Sequence, residues 1–382
     1  MKFSQQFFSN SFFEQDNTRL DLTDLARKAC FIHQDAAGLY SWMSLGLRAQ
    51  RRVEVVVREE MDRAGFCEVQ MSLLQDADLW RQSGRIDAYG DELMRVTNRS
   101  GRLFCLGATC EELTTNMVKT HYNKTDLSLG LYQFGNKYRD ELRTRSGLAR
   151  AKEFIMKDAY AFNATEAGAR EAYEAVRDAY IRIFNRLGLD AIIRSCDNGE
   201  IGGRSSEEFH VLSELGEDET DGQKSLECAH IFDLGDRYSR AMGLVNAQGE
   251  FVKMGCFGVG ISRLVMLLLS RQRDDRGFWG SECFNAFDVV LTVIDWERQE
   301  HQDEAEKLRR VLQTKGLSVL VDDRLAQAGK KLADAELIAC RQRVVVGKNA
   351  ILSGRFEWMD RRTLARESAT VEQIAELCTR KL

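Results

Sequence analysis

The chain has 382 residues, too many for one ordinary domain and enough for two or three with sizeable cores. Apolar residues at 44% and charged residues at 30% are globular values, and a net charge of -5 argues against wholesale binding to nucleic acid, DNA included. No apolar run approaches the roughly 20 residues that span a bilayer. The N-terminal MKFSQQFFSNSFFEQDN lacks the unbroken apolar core of a secretory signal, which predicts a cytoplasmic protein.

In chain order, GLYSWMSLGLRAQRRVEVVVREEMDRAGFCEVQMSLLQ reads as a turn, a long helix and a strand. Leu47, Val53, Val57, Met61 and Ala64 fall near one helical face, Arg51, Arg52, Arg58, Glu59 and Glu60 lie largely elsewhere, and Gly65 is a C-terminal stop. Strand-like runs follow at RLFCLG, LGLYQFGNKYR, KEFIMKDAY, EEFHVLSEL and FVKMGCF, mostly separated by turns that suit antiparallel pairing. Between them a helix around 166–186 carries Tyr173, Val176, Tyr180 and Phe184 at helical spacing. The acidic EDETDGQKS, residues 217–225, reads as a loop joining two parts of one domain.

After about Asn285 the pattern changes to FDVVLTVI, a helix through EHQDEAEKLRRVLQTKG, the strand LSVLVDD, a helix near KKLADAELIA, and RQRVVVGK. Strands alternating with amphipathic helices predict a small α/β unit with a mostly parallel sheet. Residues 287–382 hold 17 Lys and Arg against 16 Asp and Glu, a net +1 that leaves -6 for the rest. That is the sign expected of a domain meeting a polyanion. The expectation is therefore an α+β domain with an antiparallel sheet over 1–285 and an α/β domain over 286–382.

Ten cysteines form no CxxC pair and five histidines are dispersed, so the sequence indicates reduced thiols and neither a disulfide framework nor a structural metal site. Proline is absent altogether. Typical usage near 5% would give about 19, and chance absence is of order 10^-9. Codon bias does not explain it, because 39 of the 54 basic residues are Arg, a mark of GC-rich coding that favours proline codons.

Two stretches carry chemistry. In YRDELRTRSGLARAKEFIMKDAYAF, Arg139, Arg143, Arg145 and Arg150 crowd the end of one strand and a loop, and Phe154 lies on the returning strand. A guanidinium clamps phosphate or carboxylate and an aromatic ring stacks a nucleobase, so ATP is the ligand to expect; a solvated hairpin of surface ion pairs is the alternative. In MGCFGVGISRLVMLLL a strand ends, Gly258 and Gly260 permit close backbone approach, and Arg263 sits on the first turns of an apolar helix that needs no ligand to pack.

The order of these units resembles motifs 2 and 3 of class II aminoacyl-tRNA synthetases, with the long helix and strand ending near Ser72 resembling motif 1. GLYSWMSLG, VREEMDRAG, ADLWRQSGR, LGATCEE, KYRDELRTRSGLARAKEFIMKDAY, GEIGG, EEFHVL, HIFDLG, MGCFGVGISR and LSVLVDDR stand in the order found in bacterial-type prolyl-tRNA synthetases, and cover nearly the whole chain. The resemblance implies a class II catalytic domain over 1–285, an anticodon-binding domain over 286–382 and a homodimer built through motif 1. It implies that Arg139 meets the amino-acid carboxylate and the ATP α-phosphate, Glu141 the adenine amino group, Phe154 and Arg263 the two faces of adenine, with Arg263 reaching the γ-phosphate and Arg150 in the ATP site. Thr109 and Glu111 would meet the imino group of proline, Phe209, His230 and Cys256 would surround it, and Glu227 would bind the Mg2+ of Mg-ATP. Lys330, Lys331, Arg341 and Arg343 are the implied tRNA(Pro) contacts, each being by default a solvated surface charge.

The sequence departs from that family in three ways. The short 217–225 segment stands where a large editing insertion is common, so editing in cis is expected to be absent. Thr-His-Glu is Thr109-Cys110-Glu111 and Ser-His-Glu-Phe is Ser206-Glu207-Glu208-Phe209, where Glu207 could alter the pocket. Ser44, Ser72, Asp76, Asp91, Ala108, Thr144, Gly280 and Ala328 stand where the family commonly has proline. An enzyme that makes Pro-tRNA without containing proline could be translated when Pro-tRNA runs out, a backup or inhibitor-resistance role; artificial removal of proline would leave the same pattern. A paralogue that activates an amino acid for a non-tRNA acceptor, or a non-catalytic regulator, is the reading from a different class.

Overall fold

The computed structural model describes residues 1–8, 12, 20–122 and 127–379; part of the N-terminal stretch read above for a signal lies outside them. Two compact units emerge, one of Met1–Asp35, Ser41–Arg52 and Leu268–Leu382, the other of Ala36–Tyr40 and Val53–Leu267. This division by compactness differs from the segments 1–285 and 286–382, because the ends of the chain pack together. Val321 N–H donates to the Met1 carbonyl at 2.9 Å, and the Arg324 guanidinium lies 3.8 Å from the Phe3 ring centre.

The larger unit is built on an eight-stranded sheet in the order Cys67–Glu68, Ser128–Tyr138, Glu153–Asn163, Lys253–Val259, Gln223–Gly235, Ser205–Leu212 and Ile192–Cys196, with Asp218–Thr220 paired to Gln223–Gly235. Every pairing is antiparallel except that of Cys67–Glu68 with Ser128–Tyr138, so the sheet is mixed. Helix Glu166–Leu187 starts where the Thr165 side chain accepts from Gly168 N–H and stops at Gly188, φ 68°. It buries Val176, Ala179, Tyr180, Ile183, Phe184 and Leu187, the apolar stripe read from its spacing.

Four expectations need correction. RLFCLG lies outside the main sheet, as the middle strand Leu103–Leu106 of a separate three-stranded sheet. The 217–225 stretch is a hairpin and not a loop: Asp221 (φ 53°) and Gly222 (φ 74°) make a two-residue turn whose left-handed backbone suits strand twist. On helix Ser44–Arg63, Glu60 is buried on the core side, because Arg63 (2.9 Å), Arg182 (2.7 Å) and Arg186 (2.8 Å) converge on its carboxylate. In the smaller unit the strands Val319–Asp322, Val289–Val293 and Gln342–Val346 are parallel as expected, but Phe356–Asp360 and Arg366–Ala369 extend the sheet antiparallel. Its core gathers Leu291, Val293, Leu308, Val344, Phe356 and Ile374.

Candidate active site

One face of the large sheet carries a cavity of about 310 Å³. Strand pleating explains its lining. Alternate residues Phe154, Met156 and Asp158 of strand Glu153–Asn163 face it, as do His230 and Phe232 of the Gln223–Gly235 strand. Gly258 and Gly260 keep the wall low beside them. Arg139, Arg263, Thr109, Cys256 and Glu227 join Phe154 and His230 there from among the residues that the sequence singled out, and the fold thereby brings together residues up to 154 positions apart.

Arg139 leaves the end of strand Ser128–Tyr138, anchored by its backbone N–H to the Lys152 carbonyl (2.9 Å), and its guanidinium lies 5.4 Å from the Phe154 ring centre. Its Nε is buried without a hydrogen-bond acceptor among the described residues. Burial opposes its charge, yet Tyr89, Glu92, Glu227 and Glu141 more than offset this and raise its pKa. An unsatisfied, charged donor at a cavity wall is costly alone and is answered by an anion.

Arg263, in the first turn of helix Ile261–Arg271, donates from Nε to the Ala149 carbonyl (3.0 Å) and from Nη1 to the Glu227 carbonyl (2.8 Å) and Oε2 (3.1 Å). His230 Nδ1 meets the other Glu227 oxygen at 3.2 Å. Burial pushes the Glu227 carboxyl up, but His230 and Arg263 outweigh it and hold the group far below the usual carboxylate range. An ionised carboxylate on the wall fits one oxygen ligand of Mg2+, which takes one or two carboxylates beside substrate phosphates.

At the opposite end, Thr109 Oγ1 donates to Glu111 Oε2 (2.7 Å), Cys256 Sγ to Glu111 Oε1 (3.0 Å) and Arg85 Nη1 to Glu111 Oε2 (2.9 Å). Glu111 is fully buried and does not itself line the cavity; Thr109 and Cys256 stand in front of it. Burial raises its pKa, while Arg85 and the Cys256 and Thr109 hydrogen bonds lower it further, leaving it anionic. Sequence reasoning assigned Arg85 no role. It is caged by the rings of Trp80, Tyr89 and Tyr238, with centres 5.1–5.3 Å from the guanidinium. A charged residue ending the ADLWRQSGR stretch was the available signal. Asp158 was also missed, although the two-residue period from Phe154 reaches it; it binds Tyr160 Oη (2.9 Å), Gln133 Nε2 (3.0 Å) and Lys137 Nζ (2.7 Å).

Several assigned residues stand elsewhere. Phe209, expected around the amino acid, faces helix Glu166–Leu187, stacked on Phe184 (5.7 Å) and edge-on to Tyr180 (5.5 Å). Glu207 faces the same way and binds Tyr173 Oη (3.0 Å) and Arg177 (3.1 Å), so it does not reach the pocket. Strand parity gives the cavity to Glu208, the register partner of His230. Glu141 and Arg150 lie outside the lining and bind each other (2.9 Å), with Glu217 accepting from Arg150 (2.7 Å) and pairing with Arg145 (3.0 Å).

In the smaller unit, Lys331 is wholly buried and donates to the Val293 carbonyl (2.6 Å), burial lowering its pKa. Arg343 is buried against Glu336 (2.8 Å), and Arg341 is held by Asp360 (2.9 Å). These three are internal ties, contrary to the solvated charges expected. Lys330, half-buried, reaches Asp334 at 3.5 Å.

Residues 94–272 match the family described as the tRNA synthetase class II core domain (G, H, P, S and T), and residues 288–381 match the anticodon binding domain family. The chain is 36% identical to a proline–tRNA ligase of Rhizobium leguminosarum bv. trifolii over 91% of this chain and 93% of that one. It is also 36% identical to one of Anaplasma marginale, over 91% and 92%. Among solved structures, prolyl-tRNA synthetase from Cryptosporidium parvum complexed with L-proline and AMP superposes with a TM-score of 0.81 at 16% identity, over 98% of this chain and 79% of that one.

Proposed function

Because this chain belongs to the proline–tRNA ligases, class II aminoacyl-tRNA synthetases whose catalytic core is followed by an α/β anticodon-binding domain, we propose that its cavity holds Mg-ATP and proline side by side and joins them as prolyl-adenylate. Proline's carboxylate attacks the α-phosphate and pyrophosphate leaves; the 3′-terminal ribose hydroxyl of tRNA(Pro) then attacks the adenylate carbonyl and AMP leaves. No protein nucleophile is needed, since alignment and charge stabilisation supply the rate. Mg2+, with Glu227 as its protein ligand, would neutralise phosphate charge.

The observation that carries this reading is the Arg139 guanidinium beside Phe154, the Arg139 Nε being buried with no acceptor among the described residues. It suits a carboxylate and an α-phosphate that meet, with the ring under adenine and Arg263 over it. At the far end Cys256 gives Glu111 only a weak thiol donor (3.0 Å), which a secondary ammonium would displace, and Thr109 offers its oxygen beside it. His230 would close the pocket. Proline-dependent ATP–pyrophosphate exchange followed by charging of tRNA(Pro) is the test. No exchange overturns the reading, and exchange without charging favours the non-tRNA acceptor.

We further propose segments 1–285 for catalysis and 286–382 for the anticodon, and a homodimer through the motif 1 helix and strand. Exposed Val55, on that helix, would be covered in the dimer; sedimentation as a monomer at micromolar concentration would sink it. We also propose a cytoplasmic protein; among the described residues no helix is long and apolar enough to cross a membrane.

The tight hairpin at 218–223 supports absence of cis editing. Methylene differences give a hydrophobic pocket only about 1–3 kcal/mol, so the enzyme makes some Ala-tRNA; prompt deacylation of that product by the enzyme alone refutes this. Zero prolines in 382 residues support a backup synthetase translatable without Pro-tRNA. Replacing the housekeeping gene with this one and adding a synthetase inhibitor tests the role: equal sensitivity and no induced synthesis under Pro-tRNA depletion would end it.

A further inference from the structure

Beside the cavity lies a cluster of which the proposed aminoacylation uses only His230: Glu208 and His230 line the cavity and Cys196 stands behind them. Cys196 ends the edge strand Ile192–Cys196, Glu208 lies on Ser205–Leu212 and His230 on Gln223–Gly235, three adjacent strands of the large sheet. Register puts Glu208 opposite His230 and Ser206 opposite Cys196, so all three side chains leave the same face. One ligand atom from each lies within 4.8 Å of the other two. We propose that Cys196, Glu208 and His230 form a site for a divalent transition metal of borderline softness, with Zn2+ the type ion and its fourth position open to the cavity.

The donor set is one thiolate, one imidazole and one carboxylate, a three-ligand combination of the kind that Zn2+ and Co2+ accept and hard Mg2+ does not seek. With the thiolate and carboxylate charged, the ion leaves the site neutral. His230 Nε2 sits 3.1 Å from Cys196 Sγ, while its Nδ1 meets Glu227 Oε1 at 3.2 Å. A carboxylate on Nδ1 keeps the proton there and leaves the Nε2 lone pair facing the sulfur, the support that metal-binding imidazoles use. Glu208 is held by Oε2, which accepts from His210 (2.8 Å) and Arg194 (3.2 Å); Oε1 lies 3.8 Å from His230 Nδ1, within reach of the Nε2 side by a turn of the carboxylate. A thiol coordinates as thiolate, so metal binding at Cys196 releases a proton. Sequence spacing hid the site, because its ligands are 12 and 22 residues apart on strands joined by hairpins.

Titration of the full chain with Co2+ in millimolar Mg2+ tests the proposal. About one equivalent should bind with a near-ultraviolet thiolate-to-cobalt band and tetrahedral visible bands, both displaced by Zn2+. Cys196→Ala and Cys196→Ser should each lose the thiolate band, with Ser keeping a hydroxyl toward the neighbours of the thiol. Cys67→Ala, at an exposed cysteine, should keep it. Glu227→Gln should weaken Zn2+ binding by about 10- to 100-fold without abolishing it. Zn2+ should raise the melting temperature of wild type and of neither Cys196 variant. A wild type with no thiolate band, or a band that survives Cys196→Ser, overturns the site.

Discussion

Among the described residues the Nε–H of Arg139 has no acceptor, whereas Arg263 already binds the Ala149 and Glu227 carbonyls and the Glu227 carboxylate. In the proposed complex Arg139 would offer Nε and Arg263, tied through Nε and Nη1, would offer Nη2. Arg139→Lys keeps the charge and loses the planar fork, and should lower kcat for pyrophosphate exchange by on the order of 10²–10³ in steady-state kinetics. A second single-residue effect belongs to Lys157, fully buried, bonded to Tyr180 Oη (2.5 Å) and the Phe257 carbonyl (3.2 Å), with its pKa brought down by burial to about 7. The unfolded chain holds this proton up to about 10.4, so folding releases it between the two values and stability rises with pH across that window. Below 7 the whole penalty of a buried ammonium is present. Lys157→Met should therefore be the more stable form near pH 6, and wild type should gain on it by roughly 2 kcal/mol from pH 7 to 9 in urea melts; a pH-independent gap would contradict this. At this scale the sequence was legible where motif order named a residue, as at Arg139, Thr109 and Cys256. It misled at Phe209, because likeness gives position along a strand while parity decides which face a side chain takes.

Among elements, the hairpin that replaces an expected loop bears most on function. Glu217 stands at its base and pairs with Arg145 (3.0 Å) and Arg150 (2.7 Å) of the arginine-rich loop. Both pairs are solvent-exposed and worth little to stability, yet if Arg150 meets ATP as proposed, the carboxylate would compete with phosphate for its guanidinium. Glu217→Ala should change unfolding free energy by less than about 0.5 kcal/mol and lower the KM for ATP about two- to fivefold. An unchanged KM would mean that Arg150 does not meet the nucleotide. Long periodic elements were readable, including helices Ser44–Arg63 and Glu166–Leu187, because an apolar stripe repeats over several turns. Short ones were not. The Asp221–Gly222 turn was masked by the acidity around it, and burial of Glu60 and Lys331 depends on partners 38 to 126 residues away.

For the molecule as a whole, the missing prolines have unequal consequences. Asp76, at φ -65°, keeps a proline-like backbone and adds a cap, its side chain accepting from Asp78 N–H (3.1 Å) at the start of helix Ala77–Ser83. Ala328 recovers nothing comparable. It is the first residue of helix Ala328–Ala335, preceded by Gln327 in extended conformation (φ -60°, ψ 143°), a setting that suits proline. Ala328→Pro should stabilise the protein by about 0.4–1 kcal/mol, read as a higher urea midpoint at unchanged slope; a lower midpoint would show that the site has adapted to alanine. The bipartite plan of catalytic core and α/β domain was legible from the alternation of strands and helices after Asn285. The discontinuity of the smaller unit was not, since it joins Met1–Asp35 and Ser41–Arg52 to Leu268–Leu382. That discontinuity sets a timetable on the ribosome. The opening segment, with Phe3 and its neighbouring aromatic rings Phe8 and Phe12, must wait for strand Val319–Asp322, made more than 300 residues later, about 15–60 s at ordinary elongation rates. Through that interval it is the portion of the nascent chain most in need of a chaperone.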